Sequence, residues 1–254
     1  MGLFDVPAPL FALVGAWLNP LLPDSARIAL WGGVVGGLAT TIYWLLSPQQ
    51  RIVEIRARAR VVRNALLRYD GEFRGVLTLT GESLALSLKE LSLVIGPALA
   101  ASIPALCLIA YLGNSYDYYL PSAGTMVSVR VKPADAAVHW SPPSVLDPEG
   151  GVFRIQWPQS GHAIQLMSSR GGTLASFPLR KPIPNIQKFV WWNFLFGNPA
   201  GYVPASAEVS SIELKLTPRE FLSVGPGWLR GWETIFFFFA SITALTFRKL
   251  LVVQ

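Results

Sequence analysis

The sequence predicts a membrane protein of the α+β class, with three transmembrane helices, a cytoplasmic helical hairpin and an extracytoplasmic antiparallel β-sandwich domain. Three observations carry this expectation. The chain of 254 residues is 52% hydrophobic and only 14% charged, with a mean hydropathy of +0.42. A soluble domain has about a quarter of its residues charged, so the excess of apolar side chains needs lipid or a very large core. Two runs without a charge, the 19 residues 28–46 and the 22 residues 91–112, match the roughly 20 residues with which a helix crosses ~30 Å of hydrocarbon. Residues 113–227 instead alternate apolar and polar positions in short stretches broken by Pro and Gly, the pattern of antiparallel strands.

Taken in order, residues 1–26 form an N-terminal segment whose apolar part, Ala8 to Asn19, is too short to cross. It has no Lys or Arg ahead of it and is bracketed by Pro7, Pro9, Pro20 and Pro23, unlike a cleaved signal peptide. A helix lying in the outer interface or packed on the bundle is expected. The first span, 27–47, contains "GGVVGG", in which Gly32 and Gly36, and again Gly33 and Gly37, stand four apart. Such spacing serves close helix approach, not nucleotide binding.

Residues 48–90 form the arm. Between 51 and 75 there are seven arginines. Ile52, Ile55, Ala59, Val62, Leu66 and Tyr69 recur at alternating steps of three and four, one apolar stripe on a helix, while Arg56, Arg60, Arg63 and Arg68 fall off it. Gly71 and Gly75 break the helix, and a second segment, with Leu84, Leu88 and Leu91 on one face, leads into the next span. A projecting helical hairpin follows, with an amphipathic helix lying flat on anionic lipid as the alternative. The four arginines would then contact a partner or client.

The second span, 91–112, carries Pro97 and Pro104 seven apart on one face, each removing a backbone donor. In the outer segment, 113–227, strands are expected at 125–131, 152–157, 162–167 and 211–216. "KFVWWNFLFGNPAGY" (188–202) places six aromatics in fifteen residues. Trp191 and Trp192 there suit a headgroup anchor, a core or a partner surface. The third span, 228–254, has a continuous apolar run of only 14 residues, 234–247, or about 21 Å of helix, and must borrow 228–233 and 248–253. A buried helix of a soluble domain is the alternative. Arg230 and Glu233, at i and i+3, are expected to form an interfacial ion pair.

Orientation follows from charge. The short loop 47–90 holds eight Lys or Arg, against nine spread over the much longer 113–227. The positive-inside rule weighs the short loop, placing the arm and the C-terminus in the cytoplasm and the N-terminus and the β-rich segment outside. The net charge of +6 beside apolar runs points to lipid rather than DNA.

No catalytic, cofactor or metal site emerges, and an enzyme is not expected. Cys107 is the lone cysteine, so it forms no internal disulfide, and the two histidines, His139 and His162, stand 23 apart. No nucleophile elbow or phosphate loop occurs. Thr40, Thr41, Ser102, Ser241, Thr243 and Thr246 put hydroxyls at membrane depth, where they either line a moist groove or bond back to their own helices.

This order of elements is similar to that of the YidC-like membrane insertase superfamily, in particular its short three-span branch. That branch includes the third subunit of the endoplasmic-reticulum membrane protein complex and its prokaryotic relatives. "LLSPQQRIVEIRARARVVRNALLRYDGEFRG" resembles the family's passage from first span into cytoplasmic coiled coil, and "LSLVIGPALAASIPALCLIAYL" resembles its second span. The resemblance covers about residues 1–112 and 228–254. It implies insertion or assembly of membrane proteins without covalent catalysis, through a shallow polar groove above the coiled coil, in a bacterial inner membrane. Its implied partners are membrane lipid, client membrane proteins and a ribosome. A structural or assembly subunit of a larger membrane complex, working through its outer β-domain, is the competing reading.

Overall fold

The computed structural model describes residues 2–134, 136–141, 145–149 (backbone only), 152–161, 163–169 and 171–251. Five α-helices and eight strands are present among them: α1 (Ala8–Leu18), α2 (Asp24–Leu46), α3 (Gln49–Leu67), α4 (Phe73–Tyr116), β1 (Met126–Lys132), β2 (Val138–Ser141), β3 (Val145–Glu149), β4 (Val152–Gln156), β5 (Ala163–Ser168), β6 (Thr173–Pro178), β7 (Asn185–Gln187), β8 (Ser211–Leu214) and α5 (Trp232–Leu250). They divide into two compact units, one of residues 1–28 and 106–236, the other of 29–105 and 237–254.

The first unit holds two antiparallel sheets, ordered β3-β4-β1-β8-β7 and β2-β5-β6. Alternation sets their inner faces. Val127, Val129 and Val131 of β1 are buried, and Val129 lies opposite Phe153 of β4 and Leu214 of β8. In the smaller sheet Trp140 pairs across to Leu166, and Ile164 to Phe177. Both sheets feed one hydrophobic core. Phe177, Ile155, Leu166 and Ile212 are almost wholly buried there, each contributing about 1.5–3 kcal/mol by removal from water. The four expected strands correspond to β1, β4, β5 and β8 within two residues, except that His162, the expected start of the third, lies outside the described residues. Four further strands were not anticipated. β7 is three residues long, and the inner face of β6 ("TLASFP") is only the small Ala175 and the large Phe177.

The N-terminal segment is pinned to this unit. Phe4 N–H donates to Leu195 O at 3.0 Å, and Asp5 Oδ2 accepts from the N–H groups of Gly2 and Gly197 at 2.9 and 2.8 Å. Gly15 of α1 lies so near α4 that a Cβ there would sit 2.8 Å from the Tyr111 hydroxyl. The opposite face of α1, with Leu10, Leu13 and Trp17, is exposed. At the start of α2, Asp24 bridges Arg27 and Arg219, and both guanidinium groups lie against the Tyr116 ring. One carboxylate therefore holds two half-buried cations, which further share an aromatic face.

Asp117, just beyond α4, is half-buried beside Trp232, whose indole N–H donates to Oδ1 at 2.5 Å. Burial pushes its carboxyl above the ordinary value of 3.8, a rise reinforced by nearby Glu233 and opposed by the indole donor. A carboxyl raised in the fold contributes most when protonated, so stability from this site is full below pH 3.8 and declines as pH rises through the elevated value. Asp117→Asn keeps the acceptor for Trp232 and removes the half-buried charge. It is expected to melt above the parent protein at pH 7.5 and level with it near pH 3.5, in thermal unfolding at the two pH values.

In the second unit, two of the helices that contribute to it, Asp24–Leu46 and Phe73–Tyr116, are long and apolar enough to cross a membrane. α3 folds back against α4 through the turn at 68–72, and Arg56 Nε meets Glu90 Oε1 at 2.7 Å. Ile52, Ile55, Ala59 and Val62 are buried, as the stripe requires, whereas at its far end Leu66 is half-buried and Tyr69 exposed. On α4, Val76, Leu79, Ser83, Leu86, Glu90 and Leu93 are among the half-buried positions, whereas Leu84, Leu88 and Leu91 are exposed. α4 is apolar on several faces here, so periodicity alone does not select the inner one; the Arg56–Glu90 pair does. The second half of the hairpin and the expected second span are a single helix of 44 residues, with Pro97 and Pro104 inside it.

Candidate functional site

The second unit contains an open groove of about 620 Å³, within the ~300–1,000 Å³ range of ligand clefts. It owes its existence to unequal side-chain size. Where α2 meets α5, Gly36 lets the backbones touch: a Cβ at that position would lie 2.2 Å from Ala240 O. Gly33 fits against Thr243 and Gly37 against the Phe247 ring in the same way, at 3.4 and 3.3 Å. One turn further along, Ala39 of α2, Ala98, Ala101 and Ala105 of α4, and Ala244 of α5 replace larger side chains, and the helices no longer fill the space between them. The wall from α4 is the stretch around its two prolines. Pro97 and Pro104 supply no N–H, so the carbonyls of Leu93 and Ala100 lose their ordinary helical donors.

The lining is polar at chosen points. Thr40, Tyr43 and Ser102 bring hydroxyls, Arg56 comes from α3 and Arg248 from α5. Thr40 Oγ1 donates to Gly36 O at 2.8 Å and Ser102 Oγ to Leu99 O at 2.7 Å. Each hydroxyl thus satisfies its own proton locally and keeps acceptor lone pairs for a guest. Arg56 is paired with Glu90, and Arg248 brings a second guanidinium group from α5. Such a lining offers hydrogen-bonding partners to a polar guest that the apolar walls alone would leave unsatisfied.

Of the residues singled out from the sequence, Thr40 and Ser102 line the groove, and Gly36 and Thr243 make the α2–α5 contact; Gly32 is buried in α2. Thr41 bonds back to Gly37 O at 2.8 Å and Thr246 to Ile242 O at 2.9 Å, and Ser241 is exposed; none of these three lines the groove. Arg56, placed on the arm as a partner contact, is the arginine that reaches the groove, while Arg60, Arg63 and Arg68 are exposed along α3. The expected Arg230–Glu233 pair does not form. Arg230 caps a short 3₁₀ turn, Gly227–Leu229, ahead of α5, so helical i, i+3 spacing does not apply; its Nε donates to Gly225 O at 2.9 Å and its Nη1 to Glu220 at 3.4 Å. Tyr43, Arg248 and the five alanines were missed. Tyr43 was visible as the one phenol of the first span, but an alanine gives no sign that it borders a cleft.

No group of three His, Cys, Asp or Glu is placed to hold a metal among the described residues. No family model, curated protein or solved structure matches the chain.

Proposed function

We propose that the chain is an insertase-like membrane protein of the YidC-like kind, which assists membrane-protein insertion or assembly without covalent catalysis. The observation that carries this reading is the groove: hydroxyls and two arginines face an alanine-walled cleft between apolar helices, with one of the arginines supplied by the helical arm. Such a cleft hosts the polar part of a client while its apolar part partitions into lipid.

In this reading α2, α4 and α5 are the three spans. Lipid exposure supports it, because only 17% of the most apolar stretch of α4 is buried. Phe237, Phe238, Ile242 and Leu245 are likewise exposed on α5, whose Lys249 snorkels at its end. Part of the flank expected to lengthen this span, residues 252–253, lies outside the described residues. The arm and C-terminus face the cytoplasm of a bacterial cell, the two sheets form a sandwich on the outer side of its inner membrane, and Arg60, Arg63 and Arg68 meet a client or the anionic RNA of a ribosome.

Depletion of the protein followed by membrane proteomics tests the function. A selective loss of inserted proteins is expected. An unchanged inventory, together with a fixed stoichiometric partner set after solubilisation in mild detergent, would favour a structural subunit instead.

A further inference from the structure

A second cavity, of about 680 Å³, lies wholly within the β-rich unit. One wall is α1, through Ala8, Pro9 and Ala12; the other carries Arg180 and Lys181, from the turn after β6. Neither cation forms an ion pair among the described residues. Asp5, the acid at the cavity, is already occupied, since its Oδ2 accepts from two backbone N–H groups. With Asp5 the lone carboxylate against two cations, the cavity is net electropositive.

The elements that bound it are also those that expose apolar surface. α1 presents Leu10, Leu13 and Trp17 outward, with Trp17 77% exposed. The turn Trp191–Phe194, just ahead of the lining residues Asn198 and Pro199, presents Trp191 and Phe194 at 76% and 66%. Phe4 beside Phe196, ring centroids 5.0 Å apart, joins this aromatic turn to the N-terminal segment. An amphiphile with an anionic head and apolar tails matches both features at once, as exposed Trp at a headgroup layer requires.

We propose that this cavity binds the phosphate of an anionic lipid headgroup between Arg180 and Lys181, with acyl chains lying along α1 and the aromatic turn. The inference is independent of the insertion reading, which concerns the other unit. The shared chemistry is a phosphate monoanion, which a lipid or free phosphate could supply, and the measurement separates the two. The full chain in dodecyl maltoside is melted with dihexanoyl phosphatidylglycerol, dihexanoyl phosphatidylcholine or inorganic phosphate. Phosphatidylglycerol is expected to raise the midpoint by roughly 4 °C at saturation, at concentrations about tenfold below those at which phosphate acts. R180Q/K181Q should melt like the parent without ligand, both side chains being exposed, and should lose that rise. An equal response to phosphatidylcholine, an equal potency of inorganic phosphate, or an undiminished rise in the double variant would each overturn the proposal.

Discussion

Gly36→Ala is expected to destabilise the helical unit by about 1–3 kcal/mol, although alanine is the better helix former by about 1 kcal/mol. The sign reverses because the added methyl would stand 2.2 Å from Ala240 O and 2.9 Å from Ala240 C, both backbone atoms that no rotamer change can move. α2 and α5 must then separate, and the fit of Gly33 on Thr243 and Gly37 on Phe247 is lost with them. Gly81→Ala supplies the control: its Cβ meets nothing within 4 Å on the exposed side of α4, so a gain of up to about 1 kcal/mol is expected. Thermal unfolding of both variants in mild detergent reads the difference. A Gly36→Ala protein that melts at or above the parent would mean that the two helices do not meet closely at Gly36.

The second large effect concerns activity. Ala101 is buried at the groove wall and faces space that a bulky side chain would occupy. Ala101→Leu is expected to abolish complementation of a depleted strain while leaving the protein folded and in the membrane, because the leucine fills the groove rather than the core. Ile103→Leu, on an exposed face two residues away, is expected to complement fully. Arg56→Gln removes one cation of the groove and frees Glu90 from its partner, so a substantial loss is expected there, larger than for Arg63→Gln on the outer face of α3. Equal losses for Arg56→Gln and Arg63→Gln would assign the arginines to the arm as a whole and leave the groove without a distinct part.

Much of the fold was legible because burial in it has a period. The stripe of Ile52, Ile55, Ala59 and Val62 is buried on α3, and the alternation of Val127, Val129 and Val131 is that of β1. Where two environments are both apolar, the period stops discriminating. Leu84, Leu88 and Leu91 share one apolar face, yet α4 turns Leu79, Leu86 and Glu90 toward its partner. Spacing also misleads when the helix has not begun: Arg230 and Glu233 straddle the start of α5, and the arginine joins the loop at Glu220 instead. The groove was half visible. Its hydroxyls at Thr40 and Ser102 announce themselves as polar atoms in apolar runs, but its volume arises from alanines, which no pattern distinguishes from packed ones.

The claim that clients enter the groove is tested most directly by photo-crosslinking from inside it. A photoreactive residue at Tyr43 or Ser102 faces the groove, and one at Leu99 lies on an exposed side of the same α4. With ribosome-bound nascent membrane proteins, adducts are expected at Tyr43 and Ser102, fewer at Leu99, and fewer still when Ala101→Leu fills the space. Nascent chains captured at Leu99 but not at Tyr43 or Ser102 would contradict a groove that receives them.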